Sequence, residues 1–241
     1  MIPKVIHQTW KTNTIPKQCQ PFQKSWQTHH PDWEYRFWTD ADNRAFIAQE
    51  YEWFLPIYDS YDRGIKKADA VRYLIMHHYG GVYVDLDFEC LQPLNPLLEG
   101  KELIFGLEPL AHVNSPATVS RGLKKIVCNA FIASCPQHQF WEYFWEKLVA
   151  AQHHEAVLDA TGVYLLTRAY EAYPHPETIS LLPPELVYPV GVRDSSTGKL
   201  HCENREHLTD KAFAIHHWHS TWFAEIALER AKASLQRKKQ H

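Results

Sequence analysis

The sequence predicts an α/β fold built on a mainly parallel, doubly wound sheet with helices on both faces, in one compact domain. Three observations predict it. Short segments rich in β-branched and aromatic residues alternate with longer segments of helical periodicity along the 241 residues. The run from Ile65 to Tyr79 is bracketed by Gly64 and Gly80-Gly81 and leads straight into an apolar strand. The chain is 45% hydrophobic with 9 Trp, 11 Phe and 12 Tyr, enough to fill the core that such a sheet requires.

The elements follow in order. Lys4 to Trp10, behind Pro3, and Glu34 to Thr39 mix β-branched and aromatic residues and read as strands. The polar, proline-bearing stretch from Thr12 to Pro21 between them reads as loop. Thr39-Asp40 is an N-cap signal for a helix over Ala41 to Tyr51. Strong helix formers with apolar residues at helical spacing make Ile65 to Tyr79 a helix. In the VYVDLD segment that follows, Val82, Val84 and Leu86 point one way and Tyr83, Asp85 and Asp87 the other, by the two-residue period of a strand. Further strands are expected near Leu103 to Leu107, Asn129 to Ala133, Leu186 to Val190 and Phe213 to Trp218. Helices are expected near Gln137 to Ala151, Thr161 to Tyr170 and Ser220 to Gln236. No internal repeat or low-complexity tract interrupts this order.

Composition narrows the function. A formal charge of -3 argues against nucleic acid as a partner, because neutralising phosphates requires a dominant basic field. Five cysteines, odd in number and without a C-x-x-C pair, suggest neither a disulfide framework nor a cysteine zinc site, and fit a reducing compartment. The opening MIPKVIHQTW lacks the apolar core of a secretory signal, and no run of ~18 apolar residues could span a bilayer, so either a cytoplasmic protein or one whose anchor lies outside this sequence is expected. The basic tail RAKASLQRKKQH offers peripheral membrane contact or simply a solvated helix end.

Asp85 and Asp87 carry the chemical signal. Two carboxylates at i and i+2 where an apolar strand ends can both reach one hard cation, and the carboxyl ends of strands are where open α/β sheets bind ligands. Charges left there alone would be costly, so a cation is a motivated occupant. Asp69 and Arg72, three apart on the preceding helix, share a face and can pair with each other or with a polar ligand. Ala68, Val71 and Ile75 around them imply that this face is at least partly buried.

The runs IPKVIHQTWKTNTIP, HPDWEYRFWTD, IKKADAVRYLIMHHYGGVYVDLD and AIHHWHSTW resemble the motifs of the DXD-containing glycosyltransferases of the inositol-phosphorylceramide mannosyltransferase type, glycosyltransferase family 32. The group also holds α-1,4-galactosyl- and α-1,4-N-acetylglucosaminyltransferases, with the large clostridial glucosylating toxins more distant. The resemblance is densest over residues 1–95 and returns at 129–134, 161–168 and 214–222.

That resemblance implies a GT-A fold with a Rossmann-like nucleotide-sugar-binding half over residues 1–110, and an acceptor-binding half with a C-terminal closing segment over 111–241. It implies a retaining hexosyltransferase that moves sugar from a nucleotide-sugar to a hydroxyl on a glycan, glycolipid or other acceptor. GDP-mannose is favoured as donor, and UDP-glucose or UDP-galactose comes next. By the same resemblance Thr9 and Trp10 hold the nucleotide, with Trp10 stacked on the base. Asp69 and Arg72 hold ribose and sugar hydroxyls, and Asn129 contacts the donor sugar. Asp85, Asp87 and His217 bind Mn²⁺ or Mg²⁺, the imidazole tilting the choice towards Mn²⁺. Ser220 and Trp222 close over the diphosphate, and no nucleophile declares itself.

One departure stands out: relatives often read TGP where this chain has Thr161-Gly162-Val163, which leaves the acceptor open. Two rival readings remain. A haloacid-dehalogenase-like phosphatase also ends an apolar strand in D-x-D, but normally near the start of its domain, whereas here the motif has its own strands before it and Phe88-Glu89 after it. A non-catalytic nucleotide-sugar- or glycan-binding module would keep Trp10 and the cation site without turnover.

Overall fold

The computed structural model describes residues 1–191 and 210–219. β1 (Val5–Thr9), α1 (Gln20–His29), β2 (Glu34–Trp38), α2 (Asp40–Glu50), α3 (Leu55–Ser60) and α4 (Gly64–Tyr79) come first. β3 (Gly81–Val84), β4 (Phe88–Cys90), α5 (Asn95–Leu98), β5 (Leu103–Leu107), α6 (Leu110–Val113), α7 (Pro116–Val119) and β6 (Val127–Ser134) follow. The remainder is α8 (Gln139–Ala150), α9 (Val157–Ala160), α10 (Val163–Ala172), β7 (Ile179–Leu182), α11 (Pro184–Val187) and β8 (Ala214–His216).

Six strands form one sheet in the order β2-β1-β3-β6-β5-β7. β1 is parallel to β2 and β3, and β5 is parallel to β7, while β6 runs antiparallel to both β3 and β5. Five strands therefore share one direction and β6 alone opposes them, which is the mainly parallel sheet that the sequence predicts. Strand alternation divides the core between two faces. Tyr83, Phe105 and Ile132 pack with Phe46, Tyr73 and Trp141 of the helices on one side, and Val82, Ile104 and Phe131 pack with Trp26, Phe88 and Tyr188 on the other.

The turn from α4 into β3 places the site. Gly80 and Gly81 take φ +62° and +89°, and a Cβ would come within 2.6 Å of the Ser134 carbonyl at Gly80 and 2.5 Å of the Val5 carbonyl at Gly81. Only glycine lets the helix reverse directly into a strand wedged between β1 and β6. His7 braces this turn: Trp38 Nε1 donates to its Nδ1 at 3.1 Å, so its Nε2 carries the proton that it gives the Gly80 carbonyl at 3.0 Å. Burial pushes this imidazole down to about 3, which keeps it neutral in that role.

Several local expectations need correction. The stretch from Thr12 to Pro21 is loop only in part, because a 3-10 turn over Lys17–Cys19 opens it into α1, which burrows through Trp26. Asp85 to Asp87 form a turn past the end of β3, closed by the Phe88 N–H on the Asp85 carbonyl at 3.1 Å, and are not strand. The strand expected over Leu186 to Val190 is the helical turn α11 after Pro183, where proline pre-sets φ for a helix start. The strand at this edge of the sheet is instead β7, which starts seven residues earlier. The final strand is shorter than Phe213 to Trp218 and pairs with β4 in a separate two-stranded sheet, ended by Trp218 at φ +51°. The helix expected over Ser220 to Gln236 and the basic tail lie outside the described residues. Among the described residues no helix is long and apolar enough to cross a membrane.

Candidate active site

The ends of β1, β3 and β6 open into a cleft of about 680 Å³. Thr9, Trp10, Asp69, Arg72, Asp85, Asp87 and Asn129, all singled out from the sequence, line it together with His216.

One wall is a closed polar network. Asp69, buried on α4, accepts from Asn129 Nδ2 at 3.0 Å, from Thr161 Oγ1 at 3.2 Å and from Arg72 Nη2 at 2.9 Å. Arg72 Nη1 donates to the Asn129 carbonyl at 2.8 Å and meets Asp85 Oδ1 at 3.2 Å, while its guanidinium lies 4.6 Å from the centre of the Tyr83 ring. Tyr83 in turn donates to Asp85 Oδ1 at 2.9 Å and shares a hydrogen bond with Thr9 Oγ1 at 3.1 Å. Four elements are thus tied through one arginine and one tyrosine. Desolvation pushes the Asp69 carboxyl up to about 6 in spite of Arg72. The same burial raises Asp85, with Arg72 opposing it.

The other wall is the turn after β3 and the chain segment that returns to it. β4 and β8 pair with Phe88 opposite His216. That register brings His216 Nε2 to Asp87 Oδ1 at 3.0 Å, and the His219 backbone N–H donates to Asp87 Oδ2 at 2.8 Å. Although burial opposes it, the charge of His216 and these hydrogen bonds hold Asp87 well below the usual carboxylate range, and Asp87 reciprocally raises His216. One ligand atom each from Asp85, Asp87 and His216 lies within 4.8 Å of the others. Asp85 is 29% and Asp87 16% exposed, so this cluster opens to the cleft, whereas the Asp69 side chain is 6% exposed.

The adjacent histidine has other partners in this register. His217, which the resemblance makes the third ligand, turns away: its Nε2 meets Glu89 Oε2 at 2.8 Å and its ring stacks on Phe22 at 4.1 Å. Neighbouring residues of a strand face opposite sides, and the pairing with β4 gives the inward side to His216. Ser220 and Trp222 lie outside the described residues.

Sequence reasoning also missed three contributors. Tyr83 belongs to the Arg72–Asp85 network, as its shared strand face with Asp85 could have signalled. Thr161 donates to Asp69 and accepts from Tyr73 through its carbonyl at 2.8 Å, a link across 88 residues that no local pattern shows. Glu108, one residue past β5, lines the cleft and bonds His112 Nδ1 at 2.8 Å.

The fold is of the GT-A type: the chain superposes on the PaToxG glycosyltransferase with a TM-score of 0.53 at 18% identity, over 72% of this chain and 71% of that one. Residues 16–104 match the family described as the glycosyltransferase sugar-binding region containing DXD motif. It is 57% identical over 97 residues to inositol phosphoceramide mannosyltransferase 3 of Schizosaccharomyces pombe, covering 40% of this chain and 27% of the relative. It is 34% identical over 197 residues to a mannosyl phosphorylinositol ceramide synthase of Saccharomyces cerevisiae, covering 76% of this chain and 47% of the relative. The chain spans less than half the length of these relatives.

Proposed function

We propose that the protein is a metal-dependent, retaining glycosyltransferase that moves a hexosyl group from a nucleotide-sugar to a hydroxyl of a glycan or glycolipid. GDP-mannose is the favoured donor, in keeping with the mannosyltransferase names of the relatives, and UDP-glucose or UDP-galactose is next. The observation that carries this reading is one cleft in which the Asp85–Asp87–His216 cluster faces the Asp69–Arg72–Asn129 network.

The residues present fit a divalent cation. Two carboxylates and an imidazole converge, and the second ring nitrogen of His216, Nδ1, is buried with no hydrogen-bond partner among the described residues. The mixed oxygen and nitrogen donor set suits Mn²⁺ better than Mg²⁺. When bound, the cation would neutralise charge on the departing diphosphate. Asp85, Asp87 and His216 would hold it. Asp69 presents a carboxylate already oriented by three donors, a rigid acceptor for sugar hydroxyls, and Arg72 keeps that carboxylate and Asp85 apart in charge and position. Trp10 lies in the cleft wall where a base can stack. With no side chain assigned as nucleophile, retention suits same-face attack within an ion pair.

A thermal-shift screen of GDP- and UDP-sugars with and without Mn²⁺, coupled to a donor-hydrolysis assay, tests the reading, since a ligand bound only to the native state raises its stability. Metal-dependent stabilisation with turnover is expected. Stabilisation without any turnover would favour the binding module, and turnover unchanged in excess chelator would remove the metal.

A further inference from the structure

Asp40 begins α2, yet the helix does not need it. Thr39 and Asp42 complete the cap by themselves: the Asp42 N–H donates to Thr39 Oγ1 at 3.2 Å and the Thr39 N–H to Asp42 Oδ2 at 2.9 Å. Among the described residues no hydrogen bond or ion pair ties the Asp40 carboxylate down, although Lys11 and Lys67 contribute a favourable field. The Asp40 side chain is exposed, and partial desolvation by its surroundings raises its carboxyl in spite of those lysines. Asp40 thus lines the cleft as an exposed carboxylate that a ligand's donors can reach.

Its position relative to Trp10 follows from the sheet. β1 and β2 run in parallel with Thr9 opposite Trp38, the Trp10 N–H donates to the Trp38 carbonyl at 2.9 Å, and the Asp40 N–H reaches the Lys11 carbonyl at 3.4 Å. Asp40 thus sits beside Lys11, one residue beyond Trp10, and both Trp10 and Asp40 face the same cleft. Asp85 ends β3 on the other flank of β1. Neighbouring strands are ~4.8 Å apart, so β2 and β3, which lead to Asp40 and Asp85, lie two strand spacings or roughly 10 Å apart. That is the reach from a diphosphate across a ribose to the far edge of a base.

We propose that Asp40 reads the base of the donor nucleotide and selects guanine over uracil. The inference rests on the glycosyltransferase reading and adds to it the residue that chooses the nucleotide. The Watson–Crick edge of guanine presents N1–H and the N2 amino group side by side, two donors for the two oxygens of one carboxylate. Uracil presents a single N3–H between two carbonyl oxygens, which repel a carboxylate. Asp40→Asn keeps the size but inverts one hydrogen-bonding position: the amide can accept from uracil N3–H and donate to a uracil carbonyl, while its NH₂ opposes guanine N1–H.

Titration calorimetry of the full chain with GDP and with UDP, in the presence of Mn²⁺, tests this on wild type, Asp40→Asn and Asp40→Ala. Wild type should bind GDP at least ~10-fold more tightly than UDP, and both variants should lose about 10- to 100-fold for GDP, as a two-bond base contact is worth. UDP affinity should hold in Asp40→Ala and rise in Asp40→Asn, a gain that damage to the fold does not produce. Melting temperatures near that of wild type confirm that both variants fold. A GDP-to-UDP ratio that is the same in wild type and Asp40→Asn overturns the inference and leaves the glycosyltransferase standing. Failure of wild type to bind either nucleotide overturns both.

Discussion

Asp69 and Asp87 face one cleft from opposite walls, and they are held in different ways. Asp69 is enclosed and accepts from Asn129, Thr161 and Arg72, all supplied by the sheet and the helices packed on it. Asp87 sits in a turn, partly exposed, with His216 and the His219 N–H arriving from the far end of the described chain. The first wall is complete without a ligand. The second gathers charge around a gap, with the His216 Nδ1 still unpaired among the described residues. Rigid recognition of hydroxyls requires the first arrangement and an exchangeable cation requires the second.

The contrast can be broken most severely at Arg72, the one cation between Asp69 and Asp85. Arg72→Met leaves two carboxylates without their counter-charge and should cost ~3–5 kcal/mol of stability in a guanidinium titration. A loss below ~1 kcal/mol would mean that the first wall is not the closed network described. At the second wall, Asp87→Ala should keep the fold yet lower kcat/KM at least ~100-fold, because stabilising a leaving group with a metal is worth several kcal/mol. Near-normal turnover in a folded variant would take Asp87 out of the chemistry.

A pH series sharpens the comparison. The folded value of Asp69, about 6, lies above the 3.8 of an unperturbed carboxyl, so the native state holds this proton more tightly than the unfolded chain. Its contribution to stability is then fully present below about pH 4 and lost as pH rises through about 6, by about 3 kcal/mol. Wild type should gain on Asp69→Asn, which does not titrate, as pH falls from 7 to 4.5, and a constant difference would contradict this. The smallest expected effect separates the neighbouring histidines: His216→Ala should weaken Mn²⁺ binding ~10-fold or more, and His217→Ala should leave it nearly unchanged. Equal losses in a manganese titration would overturn the register argument.

The legible parts of the molecule are those whose signals are local. Gly64, Gly80 and Gly81 bracket α4 and start β3 in sequence as in structure, and Thr39-Asp40 marks the start of α2. Asp69 and Arg72 were visible because the helix period puts them on a shared face, and Asp85 and Asp87 because they follow an apolar strand, although they fold as a turn beyond it. α1 was not, since QPFQKSWQTH is polar apart from Phe22 and Trp26, and packing of Trp26 under Phe88 decides its conformation. β7 has four residues and no alternation to read. The choice between His216 and His217 was illegible for another reason: one residue of register flips the strand, and the register comes from pairing with β4, about half the chain away.

The β4–β8 pair has a consequence for how the protein is made. His216 follows Asp87 by 129 residues, so on a ribosome adding roughly 5–20 residues per second the aspartates emerge about 6–26 s before the imidazole that completes their cluster. During that interval the turn after β3 has only oxygen ligands to offer, which on the proposed reading would suit a hard ion such as Mg²⁺. On that reading a preference for a softer ion would be acquired last, when β8 zips onto β4.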